Sequence, residues 1–503
     1  MSGAALIAKP APGLARSGIL RRVFSFPAML ASFLAALAVL TVRSRFDDPD
    51  MWWHLKTGEI IWTTHTVPIT DIFSYTTNHH AIVPHEWLAQ VLIYGAYRFG
   101  NDSGLMLWLC FFAGALFIAG YALCSLYSGN AKVSFLGGMT IWFFATIGLA
   151  VRPQMIGYLL LVFELLLIHL GRTRSPRWFF CLPPLFAVWV NCHGSFFLGV
   201  ILGGVFFFSS FFDFRAGSLL AQHWDPHRRR MLGLALCLSL PALFLNPVGP
   251  KQVLYPFNTL LHEPLGLSLV DEWKPLVLGD PRGIALLGVV VCILLLVIIQ
   301  RLDLFWHELL LVILGAWLAA SHKRMLFVFG ILAAPVLSRL LAPLWEGYDA
   351  SRDRPVPNTV LIGAALLTVF WSFPSHQNLA KQVEQQSPVR AVEFIKSHHL
   401  AGHMLNEYVY GGYLIWAAPE HPVFVDGRAD VFEWTGVFDQ FARWATLQSD
   451  PNALLDKYEI AFCLLTPGSP MAQVLPLLHN WHAIYSDNNS VIFARSASGS
   501  TIH

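Results

Sequence analysis

Apolar runs of near-constant length recur along the first three quarters of the chain. They fall near 24–42, 104–126, 133–151, 153–171, 178–192, 194–214, 231–247, 283–300, 304–320, 325–345 and 359–374. Most approach the roughly 20 residues a helix needs to cross a hydrocarbon core, the fifth and seventh falling short, so about eleven transmembrane helices are expected. The first run follows Arg16, Arg21 and Arg22, an arrangement shared with signal peptides. It is long enough to span and lacks a convincing small-x-small cleavage site near its end, which predicts a retained first helix.

The polar intervals are unequal. Residues 43–103 form a long first loop, too rich in Trp, Ile and Leu for a solvated linker. Asp48 as N-cap with Pro49 at the first helical position predicts a helix through about Trp62. Pro84 predicts a second, His85 to Phe99, and both read as interfacial helices. After residue 374 the pattern changes to that of a soluble domain. A helix over 388–399 precedes strands at His403–Leu405 and Pro422–Asp426, a helix at 433–447 and a strand at Ile460–Thr466. A helix around 470–480 then leads to a hairpin, Ala483–Ser486 and Val491–Ala494, turned by Asp487-Asn488-Asn489. The expected architecture is an all-α polytopic membrane domain, 1–374, followed by a small α/β domain, 375–503.

Composition agrees: of 503 residues, 55% are hydrophobic and only 13% charged, well under the ~25% charge of soluble domains. A net charge of +2 argues against bulk nucleic-acid binding. Cys110, Cys124, Cys181, Cys192, Cys237 and Cys292 lie in or beside apolar runs and only Cys463 in the tail, so no disulfide framework is readable. The Lys/Arg bias sets the orientation. With the N-terminus in the cytoplasm, Arg172, Arg174, Arg177, Arg215, Arg228, Arg229, Arg230, Arg301, Arg352 and Arg354 all fall on that side. The opposite side receives 43–103, Arg152, the Asn191–Gly194 turn, the 248–282 loop, His322-Lys323-Arg324 and the tail. Nearly every polar cluster with chemical potential therefore shares one face.

The densest cluster is Asp47-Asp48-Pro49-Asp50-Met51-Trp52-Trp53-His54. Carboxylates where a membrane helix surfaces suit a general base, a cation ligand or a substrate hydroxyl. The bland alternative is a helix cap with acidic neighbours and interfacial tryptophans. His85-Glu86 and His79-His80 add imidazoles, though alanine at position 89 excludes the HExxH zinc motif. A divalent ion such as Mn, Mg or Zn on some of Asp48, Asp50, His54, His85 and Glu86 is one reading, and hydrogen-bonded loop histidines the other. Arg152 is either a phosphate fork or an interfacial anchor. Asn191 and His193 could donate to the same anion; a plain turn competes. Asp271-Glu272-Trp273-Lys274 and His322-Lys323-Arg324 complete the outer loops, the basic residues being candidate phosphate ligands. In the tail, Asn406, Tyr413, Asp426 and Arg428 border strand-like runs, with Asp426-Gly427-Arg428 a turn or a substrate contact.

This layout resembles the GT-C superfamily, integral membrane glycosyltransferases that use polyprenyl-phosphate-linked sugars. Asp48-Pro49-Asp50-Met51-Trp52-Trp53 matches the acidic-aromatic loop motif of its lipopolysaccharide-core-transferase-like and protein-mannosyltransferase members, with proline in place of the second acid. The longer pattern is similar to a bacterial branch of that superfamily. It comprises Asp50–Gly58, Val67–Tyr75 with Asp71, His85-Glu86-Trp87-Leu88, and the tail's Asn406-Glu407-Tyr408, Gly411–Ile415 and Val425–Arg428. The resemblance implies an inner-membrane enzyme of inverting chemistry, facing away from the cytoplasm. Its donor would be a polyprenyl-phosphate sugar and its acceptor a glycan, lipid or protein. Asp48, with Asp50 second, would be the base. Arg152, His193, Lys323 or Arg324 would stabilise the leaving phosphate. His54, Asp71, His85 and Glu86 would be further substrate-binding positions. A transporter or flippase for lipid-linked sugars is a rival reading, disfavoured because no paired interrupted helices are evident; a noncatalytic envelope-assembly partner is another.

Overall fold

A computed structural model describes residues 22–262 and 270–496, with backbone only at 260–262. Arg16, Arg21 and the 263–269 part of the 248–282 loop lie outside the described residues. Each of the eleven apolar runs falls on a helix. In chain order these are α1 (Phe26–Val42), the second part of α3 (Trp87–Ser128), α4 (Ala131–Ala145), α5 (Gln154–Thr173), α6 (Leu182–Cys192) and α7 (Phe196–Ser209). After them come α8 (Pro226–Ala242), α10 (Pro281–Ile299), α11 (Trp306–Ser321), α12 (Leu326–Leu341) and α13 (Pro355–Ser372). Five helical stretches, Trp87–Ser128, Gln154–Thr173, Pro281–Ile299, Lys323–Leu344 and Pro355–Ser372, are long and apolar enough to cross a membrane by length and composition. Phe370 and Trp371 on α13 and Ile298 on α10 are 76%, 81% and 70% exposed, so these helices turn large apolar side chains outward, as lipid contact requires.

The loops depart from expectation in instructive ways. The first interfacial helix, α2, covers Met51–Thr64 and starts later than Asp48. The Asp48 carboxylate accepts the Asp50 N–H at 2.9 Å, which makes 48–50 a turn and moves the helix start past Pro49. The second interfacial helix opens at Trp87 and continues into the following span. It is broken at Asn101, whose backbone leaves the helical region (φ 48°, ψ −140°). Residues 214 and 304, expected inside spans, instead belong to a small sheet of β1 (Phe214–Ala216), β2 (Leu219–Ala221) and β3 (Leu304–Phe305) at the bundle's far end.

In the tail, α14 (His376–Gln386) and α15 (Val389–Ser397) precede a four-stranded sheet. Its order is β4-β5-β7-β6, from β4 (His403–Asn406), β5 (Ile460–Leu465), β6 (Trp481–Ser486) and β7 (Val491–Arg495). β4 runs parallel to β5 and the β6–β7 hairpin is antiparallel, turned as expected at Asp487–Asn489. Pro422–Asp426 is not a strand of this sheet. The Asn406 side chain accepts from Phe424 N at 2.8 Å and donates to Val425 O at 2.8 Å, so an amide does what a ladder partner otherwise does. Val423 makes one parallel bridge, to Ser74 of the first loop. The helix expected at 433–447 is two pieces, α17 (Ala429–Trp434) and α18 (Val437–Ala445), after the short α16 (Gly411–Ala417). They meet at Gly436 with φ +73°.

First loop and tail share a core: Tyr75 and Ile82 pack on the tail's apolar cluster, and Trp53 and Phe73 on its neighbour. A buried ion triad staples them. Arg428 donates to Asp426 through Nε (2.8 Å) and Nη2 (2.6 Å), and to Asp71 through Nη1 at 2.6 Å. Asp71 also accepts the hydroxyls of Ser74 and, at 2.6 Å, Thr77. Burial works against the Asp71 charge, but Arg428 and the two hydroxyls hold its carboxyl below the usual range. Replacing Asp71 by Ala leaves a buried guanidinium half-paired, an imbalance worth about 3–5 kcal/mol. We expect a correspondingly lower unfolding midpoint and early proteolytic release of the tail; an unchanged midpoint would dissociate the triad from the loop–tail junction.

Candidate active site

Arg152 sits in the turn between α4 and α5, directly before Pro153. Its guanidinium donates to Asp48 through Nε at 2.5 Å and Nη2 at 2.9 Å, a two-pronged contact. Nη2 also lies 3.0 Å from Asp50, and Nη1 donates to Glu272 at 3.3 Å. Glu272 comes from a short helical turn before α10 and is shared with Arg324, whose Nη1 donates to it at 3.3 Å. Arg324 Nη2 donates to Gln154 Oε1 at 2.6 Å, and its guanidinium lies 5.1 Å from the centre of the Trp273 ring. Three carboxylates and two guanidiniums from four separate segments thus form one ion network.

The network treats the two aspartates differently. Asp48 has both oxygens taken by Arg152 and the Asp50 N–H, and its side chain is 7% exposed; that of Asp50 is 21% exposed and lines the cavity. Burial pushes the Asp50 carboxyl up to about 6; Arg152 opposes the rise, and the Asp48 and Glu272 charges add to it. The tail presses on the same carboxylate: a Cβ on Gly427 would stand 1.8 Å from Asp50 Oδ1, and one on Gly412 would stand 2.1 Å from the Pro49 carbonyl. Only glycine permits these approaches.

Beside the network, Glu86 lies among three imidazoles. His54 Nδ1, His85 Nε2 and His193 Nε2 each stand 3.7 Å from its carboxylate. His85 stacks on Tyr255 with ring centres 4.0 Å apart. His193 Nδ1 pairs with Ser195 Oγ at 2.8 Å, which fixes its ring. Burial raises the Glu86 pKa and lowers those of His54 and His193, with Arg152 and Arg324 adding positive charge against protonation of the imidazoles. Burial thus disfavours the charged forms of Glu86, His54 and His193.

All of this borders one cavity of about 470 Å³. Of the candidate site residues, Asp50, His54, His85, Glu86, Arg152, His193 and Arg324 line it. Asp48 stands behind Asp50, clamping Arg152. Asp71 lies in the staple, with its oxygens engaged by Arg428, Ser74 and Thr77. Lys323 points to the rim, paired with exposed Asp271 at 3.2 Å. Asn191 braces loops by accepting Trp87 Nε1 at 2.7 Å, and Tyr413 packs edge-on against Trp52. Arg428 reaches the cavity wall from the staple. Tyr158, Tyr255, Tyr408 and Asp430 also line it and were not anticipated. Tyr158 had a readable signal: it lies four residues after Gln154, on the same face of α5.

The Arg152 guanidinium lies between Asp48, Asp50 and Glu272, so these carboxylates do not fit a divalent ion. His54, His85 and His193 around Glu86 are donors a metal accepts by type, so only their placement speaks against a metal there. Among the described residues no group of three or more His, Cys, Asp or Glu is gathered to hold a metal.

No family model and no curated protein matches the sequence. The fold does match solved structures. The Archaeoglobus fulgidus oligosaccharyltransferase, solved with a tethered acceptor peptide containing the NVT sequon, aligns over 96% of this chain and 76% of its own. Its TM-score is 0.55 at 13% identity. ArnT from Cupriavidus metallidurans, solved bound to undecaprenyl phosphate, aligns over 96% of this chain and 99% of its own, with TM-score 0.51 at 12% identity. Both are GT-C superfamily membrane glycosyltransferases, and this chain has their fold over nearly its whole length.

The network makes a titration prediction. In infrared difference spectra, the carbonyl band of protonated Asp50, assigned by its loss in Asp50→Asn, should titrate near pH 6. Arg152→Gln removes the charge that opposes the rise, so the midpoint should move to higher pH. A midpoint that stays or falls would contradict the coupling.

Proposed function

We propose that this protein transfers a sugar from a polyprenyl-phosphate-linked donor to an envelope acceptor, with inversion, and that Asp50 is the base. The observation that carries the reading is that Asp50 alone of the acidic pair faces the cavity while Arg152 holds it in place. A carboxyl raised to about 6 suits the task, because a stronger base than an ordinary aspartate is still ionised at neutral pH. Asp48, ranked first on resemblance, then serves as the anchor of Arg152.

The step balances simply. The acceptor hydroxyl oxygen attacks the anomeric carbon as its proton passes to Asp50. The bond from that carbon to the phosphate oxygen breaks, and the electron pair leaves with the lipid phosphate. Arg324 has donors beyond its bonds to Glu272 and Gln154, so it is placed to meet the developing charge. The N–H groups of neutral His193 and His54 can add to this without introducing charge. Undecaprenyl phosphate in the ArnT structure supports the donor class, and the tethered acceptor peptide in the oligosaccharyltransferase structure supports transfer to a separate acceptor.

The same reading gives the protein eleven spans in a bacterial inner membrane, with the N-terminus cytoplasmic. The cavity and a tail domain, 375–503, would face outward. The clustering of the 43–103, 152, 191–195, 270–273, 322–324 and tail segments round one cavity supports that assignment.

Purified protein in lipid, offered labelled polyprenyl-phosphate sugars, should turn donor over, and Asp50→Asn should lose roughly 10²–10⁴ of that rate while still binding donor. The wild-type rate should fall as pH drops below about 6, since protonation removes the base. Undiminished turnover in Asp50→Asn would remove Asp50 from the chemistry, and bound but unconsumed donor would favour transport.

A further inference from the structure

A second cavity lies at the opposite end of the bundle. α7 starts beside the active site, next to Ser195, and ends at Ser209; α8 returns from Pro226 toward the active-site end, where Asn191 donates to Leu245 O at 2.8 Å. Between α7 and α8 runs a groove of about 590 Å³. Phe186, Val200, Phe207 and Leu236 form its walls, and Arg229 and Arg230 line its far-end mouth. It is open at Gly204, where an added Cβ would meet nothing within 4 Å. Phe208 (67% exposed), Phe211 (51%) and Leu240 (52%) continue the apolar surface around it.

The charge at the mouth is uncompensated. The Arg229 guanidinium lies over the Phe211 ring, 4.5 Å from its centre. Nearby acids are engaged elsewhere: Asp213 with His223 at 2.8 Å, Asp303 with Arg215, and the Asp225 side chain with the Arg228 N–H at 3.1 Å. Neither Arg229 nor Arg230 has a carboxylate partner among the described residues. An open apolar slot with two adjacent guanidiniums at its mouth complements a chain-bearing anion.

We propose that this groove binds one anionic glycerophospholipid, an acyl chain between α7 and α8 and the phosphate on Arg229 and Arg230. The site is separate from the sugar-transfer cavity and does not depend on that reading. It places a lipid wedge between the pair of helices that links the His193 turn to the far end, and so gives the bundle a dependence on the charge of the surrounding leaflet.

The test is native mass spectrometry of the full chain released from mixed phosphatidylglycerol–phosphatidylcholine nanodiscs. Wild type should retain one phosphatidylglycerol in preference to phosphatidylcholine. R229Q/R230Q should lower that retention about tenfold or more, two headgroup charges being removed. Gly204→Phe, which fills the slot and keeps both arginines, should lower it as well, and circular dichroism should show both variants folded. Equal retention of the two lipids, retention unchanged in either folded variant, or a dimer that occupies the groove irrespective of lipid would overturn the proposal.

Discussion

One guanidinium gathers the acids on which the site depends. Three carboxylates within reach of each other at a membrane surface repel strongly, and each loses hydration on burial. Arg152 resolves this by meeting Asp48, Asp50 and Glu272 together, drawing the first loop and the loop before α10 onto the α4–α5 turn. Arg324 extends the arrangement to the turn before α12. The negative charges outnumber the positive by one within this set, and that residual repulsion is part of why Asp50 holds its proton to about pH 6. The loops could not converge at this density without the two arginines.

The tail makes the convergence permanent. Its Asp426-Gly427-Arg428 turn touches both ion systems: Arg428 pairs with Asp71 and Asp426, while Gly427 lies against the Asp50 carboxylate. A side chain at either Gly412 or Gly427 would lift the tail off the acidic loop, so these glycines set how closely the cavity is roofed. Closeness of this kind lowers the local dielectric, which raises Asp50 and keeps His54 and His193 uncharged.

Much of this was readable from the chain. Runs of apolar residues report helices directly, and all eleven did so because length and composition are local properties. The Lys/Arg bias also grouped the right loops, since Arg152, His193, Glu272 and Arg324 do surround one cavity. The sequence was silent where long-range pairing decides. Asp48 and Asp50 look equivalent until Arg152, about a hundred residues on, takes both oxygens of one and leaves the other facing the cavity. Asp71 looks like a site residue because its partner, Arg428, is 357 positions away. Pro422–Asp426 reads as a strand by its short apolar run, but the side chain of Asn406 satisfies the backbone there instead.

In the proposed reaction the lipid phosphate is met at Arg324 while Asp50, held by Arg152, stands at the reacting carbon. A cryo-electron microscopy structure with a non-cleavable phosphonate analogue of a polyprenyl-phosphate sugar tests this directly. The phosphonate is expected on Arg324, the sugar in the cavity of about 470 Å³, and Asp50 within hydrogen-bond reach of the acceptor side of the anomeric carbon, with the Arg152–Asp48 contact intact. A phosphonate seated on Arg152 in place of Asp48, or bound away from this cavity, would contradict it.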